Sequence, residues 1–298
     1  MRKFSSISKN NNITNITIGK FDSIHLAHKA LIDLLDSNGA VLIIASKNRH
    51  LGTNSKQVIL PQKHKKRLIS KPIFFINFKK IKDLSGANFL KYLQKKLPKL
   101  QKIIVGEDFC FGKNRHAKAS DIPKISSLKV EMLKEIKIAG IPVHSQNIRD
   151  FIANGKIKLA NRLLGRDYSI KGRIVRGQGL GKAKLVPTIN IVNKKYLLPQ
   201  SAVYASKVRI KNKVYDSVTF LGHRLSADNN FAIESHILGD FEVDSNAILG
   251  RKIEIIFIDK IRENHRFERL DLLKRQISSD IKKAKAILKA NAESHKRF

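Results

Sequence analysis

The spacing of apolar residues along the chain changes character once, near its middle. In the first half, short apolar runs alternate with helical patterns: NITIG (15–19), a helix with Leu31, Leu34 and Leu35 on one side, VLIIA (41–45), IFFINF (73–78), a helix around FLKYLQKKL, and KIIVG (102–106). Continuous apolar strands separated by helices predict a parallel sheet wrapped by helices. From 166 onward the strand-like runs YSIKGRIV, TINIV, VYASKVRI, KVYDSVTF, FAIESHIL and RKIEIIFI follow one another with turns between them. That succession predicts an antiparallel sheet or small barrel. The segment 268–288 places Leu270, Leu273, Ile277, Ile281 and Ala284 at helical spacing, so an amphipathic helix closes the chain. Between the halves, SQNIRDFIANGKIKLANRLLGR reads as two short helices stopped by Gly155 and Gly165. The expected division is therefore residues 1–165 and 166–298, and 298 residues suit two cores better than one.

Composition narrows the class. Hydrophobic residues make up 42% of the chain, and no run approaches the roughly 18 apolar residues of a membrane span. The start, MRKFSSISKNNN, turns polar where a secretory signal would turn apolar. A soluble, cytoplasmic protein with no membrane partner is expected. Cys110 is the single cysteine, which excludes an internal disulfide, and no Cys/His group has zinc spacing. The net charge of +35 favours phosphate-bearing ligands. Its lysines are spread over the whole chain without aromatic interleaving or a nucleic-acid module, so a Lys-rich solvated surface accounts for them better than dedicated nucleic-acid binding.

Two regions carry candidate chemistry. GKFDSIHLAHKAL (19–31) follows an apolar strand and enters a helix, so a tight turn at Gly19 and a helix N-terminus form a phosphate site. His25 and His28, three residues apart, share one face of the first turn and add donors there. Such a pair in isolation is more often surface or capping residues. The second region, IKGRIVRGQGLGKAKLVPTINI (170–191), has Gly177, Gly179 and Gly181 ahead of Thr188 and Asn190. A glycine-rich loop lets backbone approach phosphates, and the Thr hydroxyl and Asn amide offer oxygen ligands for the Mg²⁺ that accompanies ATP. Phosphoryl transfer also needs a carboxylate to accept a proton, and Glu234 in FAIESHIL is the candidate, although a lone Glu on a strand is commonly an outward solvated residue.

In their order these blocks resemble the bacterial bifunctional riboflavin kinase/FMN adenylyltransferase family, part of the HxGH nucleotidylyltransferase group. Gly19, Phe21, Asp22, His25 and His28 match its first signature, with Ser23 and Ala27 where glycine is usual. IIVGEDFCFGKNRHA (103–117) is similar to the family's Val-Gly-x-Asp/Asn-Phe-x-Phe-Gly segment, which implies that Asp108, Phe109 and Phe111 line the flavin and nucleotide pocket. Of the family's Ser-Ser-Thr-x-Ile-Arg loop, Ser145, Ile148 and Arg149 survive, while SKNRH stands where an Asp-Pro-His-Pro run is usual. Pro187–Asn190 matches Pro-Thr-x-Asn, Ile233–Leu238 matches Ile-Glu-x-His-Ile-Leu, and IRENHRF (261–267) resembles Ile-Arg-x-Glu-x-x-Phe. Leu185 and Val186 stand where Gly-Phe is usual before Pro187, and GHRLS (222–226) stands where Gly-x-Arg-Pro-Thr is usual.

The resemblance implies a Rossmann-like α/β nucleotidylyltransferase domain followed by a small antiparallel β-barrel kinase domain with a C-terminal helix. It implies riboflavin, FMN and ATP as substrates, Mg²⁺ as cofactor, and Glu234 as the base acting on the ribityl 5′-hydroxyl. Two rivals remain at this point: a riboflavin kinase whose first domain has decayed, and a basic RNA-binding protein.

Overall fold

The computed structural model describes residues 2–8, 10–45, 57–177, 186–239, 241 and 248–295. The chain forms two compact units, Met1–Ser145 and Gln146–Phe298. No helix among the described residues is long and apolar enough to cross a membrane.

The first unit is built on a parallel sheet. Its elements run β1 (Arg2–Lys3), β2 (Asn15–Gly19), α1 (Leu26–Asp33), β3 (Gly39–Ala45), α2 (Gln62–Lys65), β4 (Ile73–Asn77), α3 (Gly86–Lys96) and β5 (Lys102–Gly106). A hairpin β6 (Cys110–Phe111) with β7 (Ala117–Lys118) follows, then α4 (Ile122–Ile125), β8 (Lys129–Leu133), β9 (Lys137–Ile138) and β10 (Ile141–Pro142). Six strands pair in the order β1-β4-β3-β2-β5-β8, every pair parallel. Both faces are apolar. Ile16, Ile18, Leu42, Ile103 and Val105 pack with Phe89, Leu90 and Leu93 of α3, while Val41, Ile43 and Ile104 pack with Leu31, Ile32 and Leu35. Burial on both faces is why the strands read as continuous apolar runs. Leu34, expected beside Leu31, is exposed because α1 ends at Asp33 and the chain turns before Leu35 re-enters the core.

Helix α5 (Ser145–Ala153) starts on the last residue of the first unit, and the second unit holds the rest of it with α6 (Ile157–Leu164), then β11 (Tyr168–Val175), β12 (Ile189–Val192), β13 (Ala202–Ile210), β14 (Lys213–His223), β15 (Phe231–Ile237), β16 (Lys252–Glu263) and α7 (Leu270–His295). Gly165 stops α6 in the left-handed conformation (φ 64°), its N–H bonding back to the Asn161 carbonyl. The strands close into an antiparallel barrel in the order β11-β12-β15-β14-β13-β16.

Inside this barrel Ser206, Ser217, Thr219 and Ser235 form a fully buried hydroxyl chain with oxygen separations of 2.7–2.8 Å. Each hydroxyl satisfies its neighbour, which removes the cost of burying it. On the outer wall, Ala284 and Leu288 of α7 pack on Ala205 and Ile258. Leu270, expected on the apolar stripe of α7, lies exposed at its first residue, whereas Asp280 occupies that stripe and is buried.

Candidate active sites

In the parallel sheet, β2 sits between β3 and β5, and the chain leaves β2 in one direction and β5 in the other. Open α/β sheets hold ligands at such a switch point, beyond the carboxyl ends of the strands. Gly19 ends β2 and Gly106 ends β5, so the fold carries GKFDSIHLAHKAL and GEDFCFG to the same edge.

The loop after β2 is shaped by two buried apolar side chains. Phe21 and Ile24 both adopt φ 49° and are 1% and 0% exposed. A left-handed non-glycine residue costs roughly 1–2 kcal/mol, offset here by burying an aromatic ring and a branched side chain. Ser23 is not among the left-handed residues, so serine in place of glycine strains nothing. Instead its hydroxyl lies 3.1 Å from that of Ser145, tying the first block to the start of the third. Arg149 is buried one turn beyond Ser145 in α5, within the second unit.

His25 is the N-cap of α1, its Nδ1 accepting the His28 backbone N–H at 3.2 Å. That bond leaves Nε2–H as the donor of the neutral ring. The two imidazoles stack with centroids 3.6 Å apart, and Phe21 lies 4.7 Å from His28. Asp22 is half-buried in the same loop, while Asp108 is exposed past the end of β5. Phe109 is half-buried and stacks on Phe111, whose ring belongs to the core beside Phe89. Phe111 therefore backs Phe109.

Lys65 escaped the sequence reading. It is 4% exposed, and its ammonium donates to the Lys20 carbonyl at 3.1 Å, inside the first block. Burial lowers its pKa to about 8 against the pull of Asp22. The only sequence signal was a basic run, KHKKR, indistinguishable from surface lysines.

In the barrel, strand register assembles the second site. Val175 pairs with Asn190, Asn190 with Glu234, Glu234 with Phe220, Phe220 with Val203, and Val203 with Arg262. Directly paired residues share a face, so these six form one row around the outer wall. All six line a cavity of about 390 Å³, roofed by Leu273, Ile277, Asp280 and Ile281 of α7. Glu234 thus points away from the barrel interior, as an isolated Glu would, yet into a pocket.

Thr188 and Gly177 line the same cavity. A Cβ on Gly177 would overlap the Asn190 side-chain amide, which explains the glycine. Gly179, Gly181, Leu185 and the SKNRH segment lie outside the described residues. His236 Nδ1 donates to the Pro187 carbonyl at 2.8 Å and so pins the Pro-Thr-x-Asn segment to β15. Arg262 pairs with buried Asp280 through contacts of 2.9 Å, fixing one cavity wall. Arg224, present in the sequence only as part of GHRLS, donates through Nε to Glu234 Oε1 at 2.8 Å and through Nη2 to Asn190 Oδ1 at 3.4 Å.

Two protein-family models match the chain: a riboflavin kinase model over residues 164–288 and an FAD synthetase model over residues 7–147. Among curated relatives, the bifunctional riboflavin kinase/FMN adenylyltransferase of Buchnera aphidicola subsp. Acyrthosiphon pisum is 30% identical, with 94% of this chain and 95% of the relative covered. The protein of that name from Pseudomonas fluorescens is 27% identical, with 93% of each covered. A crystal structure described as a macrolide-efflux protein from Streptococcus pneumoniae superposes with TM-score 0.81 at 22% identity over 96% of this chain and 97% of that one, a likeness of fold.

Proposed function

The chain belongs to the bifunctional riboflavin kinase/FMN adenylyltransferase family, and on that premise we propose how its residues take riboflavin to FMN and FMN to FAD at the expense of two ATP molecules. Phosphorylation is assigned to residues 166–298. Glu234 accepts the proton of the ribityl 5′-hydroxyl as its oxygen bonds to the γ-phosphorus, and ADP leaves. Gly177, where a side chain would displace the Asn190 amide, keeps backbone alone beside the ATP phosphates. Thr188 and Asn190 present a hydroxyl and an amide oxygen, the hard donors that suit Mg²⁺, which when bound neutralises phosphate charge. The apolar members of the row, Val175, Phe220 and Val203, supply a wall of the right character for a flavin ring.

Adenylylation is assigned to residues 1–165. An FMN phosphate oxygen bonds to the α-phosphorus of ATP and pyrophosphate leaves. His25 and His28, at the N-terminus of α1, donate to the charge that develops on the phosphate oxygens. Gly19, Phe21 and Asp22 shape the loop, Asp108 and Phe109 line the flavin side with Phe111 behind them, and Ser145, beside Ser23, meets the nucleotide phosphates. A cytoplasmic setting fits the supply of ATP.

The observation that carries the reading is that Gly177, Thr188 and Asn190 of the 170–191 block meet Glu234 of β15 in one cavity. The test is chromatography of flavins after incubation with riboflavin, ATP and Mg²⁺, beside a Glu234→Gln variant. The wild type is expected to give FMN and FAD. The variant is expected to lose both, regaining FAD when FMN is supplied. FMN alone from the wild type would mean that the first unit is not an adenylyltransferase.

A further inference from the structure

The turn between β14 and β15 carries one arginine to which the proposed chemistry gives no part, although it touches two of the residues that do the work. Its backbone is fixed by its own loop: Arg224 N–H donates to the Asn230 carbonyl at 3.0 Å, and Asn229, left-handed at φ 55°, donates back to the Arg224 carbonyl at 3.1 Å. Its side chain is held at the far end by Asp228, whose oxygens lie 3.1 and 3.3 Å from Nη1. Burial opposes ionisation of Asp228, but hydrogen bonds from Asn230 and Arg224 and the Arg224 charge outweigh it and hold its pKa at about 2. The guanidinium is therefore anchored before it reaches the site. Nε and Nη2, its two remaining edges, meet Glu234 Oε1 and Asn190 Oδ1.

We propose that Arg224 is a positioning residue of the kinase reaction: a guanidinium bridge, anchored on Asp228, that fixes the Glu234 carboxylate and the Asn190 amide relative to each other. The inference rests on the reading of Glu234 as the base. A glutamate on a strand has three rotatable side-chain bonds, and proton transfer requires one of its oxygens within hydrogen-bond reach of the hydroxyl. Arg224 occupies Oε1 and leaves Oε2 to meet the substrate. The paired backbone of β12 and β15 brings Asn190 and Glu234 side by side. Only a planar fork can then engage both while keeping its third edge on Asp228, and a lysine ammonium has no such geometry.

The experiment compares Arg224→Gln, Arg224→Lys and Glu234→Gln in the full chain, each assayed for riboflavin phosphorylation and, separately, for adenylylation of supplied FMN. Riboflavin affinity is read from flavin fluorescence in the absence of ATP. Misplacing a reacting group by an ångström costs up to about 100-fold. Arg224→Gln is therefore expected to lower kcat for FMN formation about 10- to 100-fold, with the riboflavin Kd within about threefold and adenylylation intact. Arg224→Lys is expected to stay as slow, since charge without the fork does not bridge. Full kcat in Arg224→Gln, recovery in Arg224→Lys, or a loss confined to riboflavin affinity would each overturn the bridge. Wild-type rates in Glu234→Gln would overturn the reading of the base itself, an outcome distinct from the first three.

Discussion

Replacing Lys65 by methionine separates stability from function in the first unit. Burial lowers the lysine pKa from 10.5 to about 8, a penalty on the charged form of roughly 3 kcal/mol. The folded-state value lies below the unfolded one, so the folded protein releases its proton first. Stability therefore rises with pH between about 8 and 10.5, and the full penalty stands below 8. Methionine has nearly the same length and no charge, so Lys65→Met removes the penalty at neutral pH. It also removes the hydrogen bond to the Lys20 carbonyl, a loss of about 1 kcal/mol.

The net expectation is that the variant is about 2 kcal/mol more stable at pH 7 and about 1 kcal/mol less stable above pH 10.5, with a crossing near pH 10. Thermal unfolding of both proteins across that pH range reads the difference, about 2–4 °C in Tm per kcal/mol for a protein of this size. At pH 7 the same variant is expected to adenylylate FMN at least about tenfold more slowly, because the carbonyl of Lys20 and the charge beside Asp22 lose their partner. A variant less stable than wild type at pH 7, or a stability difference that does not change with pH, would show that the ammonium is solvated and refute the reasoning.

Gly177→Ala should force the Asn190 amide to move and lower FMN formation by about tenfold or more, while leaving adenylylation of supplied FMN unchanged; flavin chromatography reads both. Arg262→Met leaves Asp280 as a buried, poorly compensated charge and should cost about 3–5 kcal/mol in urea unfolding, most of it recovered in the double variant with Asp280→Leu. Glu234→Gln should lower kcat for FMN formation by about 100-fold or more, the usual worth of a general base, without raising the riboflavin Kd measured by flavin fluorescence.

Much of this protein is fixed by local spacing alone. Four of the six parallel-sheet strands, the two helices stopped by Gly155 and Gly165 and the six barrel strands occur where apolar runs and glycines put them, because a residue's preference for strand, helix or turn depends mostly on near neighbours; the edge strands β1 and β8 carry no such run and form only by pairing with β4 and β5. The order of the signature blocks was equally legible, and with it the family.

What the tertiary structure alone decides is which distant residues meet. Nothing in the sequence places Val175, Asn190, Glu234, Phe220, Val203 and Arg262 in a row, since that depends on strand order and register around a closed barrel. Lys65 looks like any lysine in KHKKR until the fold buries it beneath the loop after β2. Asp280 breaks an apolar stripe until Arg262 arrives from β16 to pair with it. Lys65 and Asp280 are charged groups whose positions are set by partners far away in sequence. Burial and pairing, the two quantities that give such a group its chemistry, are properties of the folded chain rather than of the residue.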